Sequence, residues 1–165
     1  MAFLSFKHGP PDEFISDRLR SELPELNVAV VRLKDAPPLA GDSLSGRIEQ
    51  RVTEGVALIT LWSARSIGAY WVQREREFAR QQGLEECLVL FPKISLPGDW
   101  PKTPDGQADK VYEPLQGVTI SRPLRSGDPP MVSFDGAAFS TMVRRIALFV
   151  HTQAALRRSR AESKS

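Results

Sequence analysis

The chain has 165 residues, 41% of them hydrophobic and 25% charged, with a formal net charge of +2. That is the size and mix of one globular domain with a real core, and the charge is too small to argue for nucleic-acid binding. A single cysteine, Cys87, excludes an intrachain disulfide and a Cys-rich zinc site, and two histidines, His8 and His151, do not make a metal cluster by themselves.

Taken in chain order, Ala2 to Phe6 reads as a short apolar strand, broken by Lys7-His8-Gly9-Pro10-Pro11. Asp12 is a candidate helix N-cap, and Ile15, Leu19, Leu23 and Leu26 follow at helical spacing. Pro24 weakens the last turn of that helix. Val28 to Val31 is a second strand. Residues 34–41, KDAPPLAG, form a loop. Asp42 or Ser43 can cap the next helix, whose apolar stripe is Leu44, Ile48 and Val52 and whose end is Gly55, in the manner of a C′ glycine.

Val56 to Trp62 is apolar almost throughout, as a strand buried on both faces would be. After the polar turn Ser63-Ala-Arg-Ser66 the period becomes helical. Ile67, Trp71, Glu75 and Phe78 share a face, and Gly83 closes the helix. Cys87 to Phe91 is a fourth apolar strand. Residues 97–117 read as loop, Val118 to Ile120 as a short fifth strand, and 122–130 as loop again. From Asp135 a last helix carries Phe139, Met142, Ile146 and Phe149 on one face and frays at Arg157, Arg158 and Arg160. The expected division is a domain over residues 1–153 and a basic tail over 154–165.

This alternation predicts an α/β fold: a flavodoxin-like central parallel sheet in the order 2-1-3-4-5, with helices on both faces. Residues 97–130 give little support for the helix that would normally precede the fifth strand. In such sheets ligands bind outside the carboxyl ends of the strands. The strand ending at Trp62 delivers to that edge a helix bearing a ring, Trp71, and a carboxylate, Glu75. No G-x-G-x-x-G or Walker A pattern is present, which argues against a Rossmann redox enzyme or a nucleoside triphosphatase. No run of about 18 apolar residues exists to span a membrane. The N-terminus turns polar too soon for a signal peptide, so the expected location is the cytoplasm.

Three segments resemble the Toll/interleukin-1 receptor (TIR) domain of the bacterial kind. Phe3-Leu-Ser-Phe6 resembles its opening F-I-S-Y. Leu39-Ala-Gly-Asp-Ser-Leu44, followed by Ile48, is similar to its BB loop. Leu61-Trp-Ser63 with Trp71-Val-Gln-Arg-Glu75 resembles its hallmark LS…S-x-W-[CV]-x-x-E. The likeness covers residues 2–92 by motif and the remainder by element order. Between Ser63 and Trp71 the family often has an aromatic and a serine, where this chain has Ser66 and Ala69.

The resemblance implies cleavage of NAD to nicotinamide and ADP-ribose or a cyclic ADP-ribose, with NAD as substrate and no cofactor. It puts the catalytic glutamate on Glu75. Glu77 lies about 200° further round the helix and faces away. The chemistry suits one carboxylate. Glycosidases need a second carboxyl group to protonate the leaving oxygen, but the nicotinamide of NAD is already cationic and leaves neutral. One anion facing the oxocarbenium charge is enough. Expected substrate contacts are Trp71, Phe6 and Lys7 at the strand edge, and Leu39 and Ser43 of the BB loop. The family association implies bacterial antiphage defence or virulence. It also implies homo-oligomers formed through residues 36–46, with or without a separate activating protein.

Duller readings stand beside these. A helical glutamate is usually solvated, Trp71 alone is more often core, His8 is a loop residue, and Cys87 is a small buried hydrophobe. The rival function is a non-catalytic TIR interaction module acting through residues 36–46. A third reading, a nucleoside deoxyribosyltransferase-like enzyme, has the same kind of glutamate but no BB loop.

Overall fold

In a computed structural model the described residues are 1–35, 46, 47, 50, 52, 54–108, 110, 112–122 and 125–164. The strands are β1 (Ala2–Ser5), β2 (Val30–Val31), β3 (Ala57–Trp62), β4 (Glu85–Leu90), β5 (Glu113–Pro114), β6 (Val118–Ser121) and β7 (Met131–Phe134). The helices are α1 (Asp12–Glu22), α2 (Tyr70–Gln81) and α3 (Gly136–Ser163), and residues 46, 47, 50, 52 and 54 are helical as well. Five strands pair in parallel in the order β2-β1-β3-β4-β5. This is the flavodoxin-like sheet that the alternation predicts.

Side chains alternate across each strand, so the sheet sorts its own residues into two faces. Ala2 and Leu4, Ala57, Ile59 and Leu61, and Cys87 and Val89 point to one face. There they meet Ile15 and Leu19 of α1 and Phe139, Met142 and Ile146 of α3. Phe3 and Leu58 point to the other face and meet Phe78 and Ala79 of α2, together with Val52. All six residues of β3 are buried, which is why that strand is apolar but for Thr60.

Helix ends follow their local chemistry. After α1 the chain tightens into a 3₁₀ turn, Leu23–Leu26, where Pro24 cannot continue the α-helical bonding. Asn27 then turns left-handed at φ 62°. Gly83 does the same after α2 at φ 71°, and the N–H of Leu84 donates to the carbonyl of Ala79 at 2.9 Å. Gly55 follows the helical residues but is not left-handed.

The second half departs from expectation in three places. The fifth strand of the sheet is Glu113–Pro114, beside Val89 and Leu90, and not 118–120. Residues 118–121 instead form an antiparallel hairpin with Met131–Phe134. The last helix does not fray at Arg157 but runs to Ser163, since Ala, Arg and Glu sustain a helix without burial. Its Asp135 cap accepts hydrogen bonds from the N–H groups of Ala137 and Ala138 at 3.2 and 3.3 Å. Among the described residues, no helix lies between β4 and β5. That segment is held by Trp100, which is buried and donates from Nε1 to the carbonyl of Lys110 at 3.1 Å. No described helix is long and apolar enough to cross a membrane.

Gly117 is where the hairpin meets α3. It has φ +70°, and a Cβ there would collide with the Phe139 amide nitrogen and lie 2.7 Å from the Asp135 carbonyl oxygen. Both obstacles are backbone and cannot swing aside. Gly117→Ala is therefore expected to lower unfolding stability by about 2–4 kcal/mol. Gly98→Ala, in open space at an ordinary φ, is expected to change it by less than about 1 kcal/mol. Urea unfolding of both variants checks this, and equal effects would contradict it.

Candidate active site

The buried face of α2 consists of Val72, Glu75, Arg76 and Ala79, with Phe78 beside them. The spacing 72, 75, 76, 79 is the core stripe of a helix. Two adjacent charged residues thus sit where apolar side chains belong, and the fold treats them differently.

Arg76 is fully partnered. Its Nε donates to Glu86 Oε2 at 2.8 Å and its Nη2 to Glu86 Oε1 at 3.1 Å, a fork-on-carboxylate pair with β4. Its Nη1 donates to Asp99 Oδ1 at 3.2 Å, and its Cζ lies 5.1 Å from the Trp62 ring centroid. Thr60 Oγ1 donates to the same Glu86 Oε2 at 2.6 Å. Asp99 also pairs with Arg80. The guanidinium side chains hold the carboxyl of Asp99 below its ordinary range, against the opposing effect of burial.

Glu75 is not partnered in this way. It is 5% exposed, and its Oε2 is buried with no hydrogen-bond partner. Burial pushes the carboxyl up to about 8, and the nearby Ser5 hydroxyl at the end of β1 pulls it only slightly back. Ser5 Oγ is itself buried without a completed hydrogen bond. The two groups are therefore neighbours without a completed hydrogen bond between them. In the parallel ladder Ser5 is the register partner of Thr60. One polar row thus crosses the sheet beneath α2, from Glu75 and Ser5 to Thr60, Glu86 and Arg76.

The other expected site residues are distributed differently. Trp71 is half-buried, packs against the cluster of Phe3, Leu58 and Phe78, and meets the Tyr70 ring edge-on at 4.9 Å. Phe6 is 5% exposed and belongs to the core cluster on the α1 side of the sheet, with the His8 ring 5.0 Å away. Lys7 is exposed. Leu39 and Ser43, with residues 36–45 as a whole, lie outside the described residues. Glu77 is exposed and pairs with Arg74. Cys87 is buried, which pushes its thiol up to about 12.

The serines of the turn after β3 have structural partners. Ser63 Oγ donates to Asp12 Oδ2 at 2.6 Å, and Ser66 Oγ donates to the carbonyl of Leu61 at 2.7 Å. Asp12 does not cap α1. It is fully buried and also accepts from Arg65 Nη1 at 3.1 Å. Arg65 reaches further, donating to the carbonyls of His8, Gly9 and Pro10. Sequence reasoning took Asp12 for a cap and missed Arg65 and Arg76. For Arg76 the available signal was a second charge on the core stripe of the helix. Among the described residues, no group of His, Cys, Asp or Glu is placed to hold a metal ion.

No family model matches the chain, and no curated protein matches it significantly in sequence. Among solved structures it is similar to the TIR domains in the structure of the activated Roq1 resistosome directly recognizing the pathogen effector XopQ. The TM-score is 0.49 and the identity 18%, over 56% of this chain and 58% of that one. The chain thus spans less than two thirds of that neighbour, and nothing about its activity follows from the likeness.

The raised carboxyl has a thermodynamic signature. A group whose folded pKa is about 8, against 4.5 unfolded, keeps its proton in the folded state between those values. Its contribution to stability is present in full below about pH 4.5 and is lost as pH rises through about 8. The loss is at most about 5 kcal/mol, at about 1.4 kcal/mol per pKa unit. Glu75→Gln is therefore expected to match the wild type in stability near pH 4.5 and to exceed it increasingly up to about pH 8. Urea unfolding across that range checks this, and parallel pH curves for the two proteins would contradict it.

Proposed function

We propose that the chain is a TIR-type enzyme that cleaves the nicotinamide–ribose bond of NAD+, giving nicotinamide and ADP-ribose or a cyclic ADP-ribose. The observation that carries this reading is the Glu75 carboxyl. It is buried and unpartnered on α2, beside Ser5 at the carboxyl end of β1, and it occupies the motif position Trp71-Val-Gln-Arg-Glu75. A buried acid with no partner is costly, and such groups concentrate where chemistry uses them.

In the proposed reaction the N-glycosidic bond breaks and its electron pair passes to the nicotinamide nitrogen, which becomes neutral. The ribose is left positive at its anomeric carbon until water or an internal nucleophile attacks it. Glu75 faces that charge as the carboxylate. In the empty protein the group is mostly protonated at neutral pH, because burial raises it to about 8. An approaching cationic nicotinamide favours the ionised form and brings the pKa down. The site is thus neutral when empty and anionic when it holds the cation. Trp71 offers a flat face near the same helix turn. Assembly of copies as the activating step, and a setting in bacterial defence or virulence, belong to the same proposal and rest on the motif resemblance.

Turnover of NAD+ by the purified protein at high concentration, with linear and cyclic products separated, tests the reading. Glu75→Gln and Glu75→Ala are expected to lose about 100-fold or more. Wild-type turnover in Glu75→Gln would overturn the reading. The pH dependence is a second check. For the wild type, kcat/KM reports the free enzyme and is expected to rise with pH to a plateau above about 8. The kcat profile reports the complex and should plateau at lower pH. Coincident or flat profiles would contradict the role given to Glu75.

A further inference from the structure

An unpartnered buried carboxyl is driven toward water, and a modest rotation of its helix would free it. Something must therefore hold α2 in the setting that keeps Glu75 against Ser5. Arg76, the next residue, is the only described charged neighbour on the buried face of that helix. It lies about 100° round the helix from Glu75, so the two side chains share one rotational setting.

Arg76 is tied on three sides: to Glu86 of β4 through two parallel bonds, to Asp99 of the following segment, and to the Trp62 ring at the end of β3. Glu86 is in turn fixed by the Thr60 hydroxyl, and Trp62 Nε1 is fixed by the carbonyl of Ser95 at 3.1 Å. These ties orient as well as attract, because a planar fork on a carboxylate permits little rotation. The lock lies on the β3–β4 side of the helix, while Glu75 faces β1.

We infer that the Arg76–Glu86 pair is a positioning device whose role is to hold Glu75 buried against Ser5, ready for the reaction. The kinetic part of this inference rests on the proposed activity, whereas the positional part does not. Arg76 touches no reacting atom in this account. It acts through Glu75.

The test uses the full chain and two variants, Glu86→Gln and Thr60→Val. The first keeps the shape but removes the charge that draws the fork. The second removes only the hydroxyl that steadies Glu86. Glu75 is titrated through its side-chain carboxyl ¹³C resonance, assigned by its loss in Glu75→Gln. The wild-type value is expected near 8. In Glu86→Gln it is expected to fall by about one unit or more as the carboxyl gains solvent, and in Thr60→Val in the same direction by less. NAD turnover should fall mainly in kcat, with KM little changed.

An unchanged Glu75 titration in folded Glu86→Gln overturns the inference, and so does a fall there with none in Thr60→Val, because loss of the Glu86 charge alone would lower the pKa of that group without moving it. If Glu86→Gln does not fold, Thr60→Val decides by the same criterion. A shifted titration in a protein whose wild type never cleaves NAD keeps the positioning role and sinks the activity. Turnover that depends on Glu75 but is untouched by either variant keeps the activity and sinks the positioning role.

Discussion

The structure depends on how one helix meets the sheet. The buried stripe of α2 has two charges in its middle, and the sheet answers one and not the other. A buried guanidinium is tolerable only with anions around it, and Glu86 and Asp99 supply them. Burial leaves Glu75 with the opposite solution: it keeps its proton. Much of what surrounds α2 follows. Thr60 sits on β3 beneath Glu86, Trp62 lies against the guanidinium, and Ser5 lies beside Thr60 in the ladder facing the glutamate. A sheet face that is otherwise apolar, with Phe3 and Leu58, has gained one polar row.

The opposite face shows what the same fold does without such a demand. There Leu4, Ile59 and Val89 pack directly on α1 and α3. The polar residues at the carboxyl edge on that side knit loops together. Arg65 gathers three carbonyls of the β1–α1 loop, and Asp12 receives both Arg65 and Ser63. The serine that the motif resemblance places near the site thus has a structural role. It fixes the turn that launches α2, and so the height at which Trp71 and Glu75 arrive.

The parallel strands β3 and β4 were legible because burial on both faces leaves runs that are mostly apolar, interrupted in β3 only by Thr60 and in β4 only at its start by Glu85 and Glu86. Strand β6 was legible at Val118 to Ile120, but its partner β7 was not, because the residues of the hairpin are mostly exposed and β7 carries no apolar face long enough to stand out. The edge strand β5 is only Glu113–Pro114, which has no strand signal at all. Asp12 misled for a clear reason. An aspartate at a helix start looks like a cap, and its real partner, Ser63, is 51 residues away. The sequence singled out Glu75 by the motif resemblance and by its place one turn after Trp71. Its burial was not legible, and the raised pKa is a product of that burial, since the sheet that α2 covers is built from strands far away in the chain. Arg76 was passed over because the sequence alone does not distinguish a charged residue on the inner stripe from one at its rim.

Under the proposed function Glu75 is a buried acid that an approaching cationic ligand ionises. The most direct measurement is the ¹³C titration of its carboxyl in the wild-type protein, alone and with a hydrolysis-resistant NAD analogue that keeps the nicotinamide charge. Titration near 8 in the free protein, with a clear fall when the analogue binds, is the expected result. Titration near 4.5 in the free protein, or a value that ignores the bound cation, would contradict it.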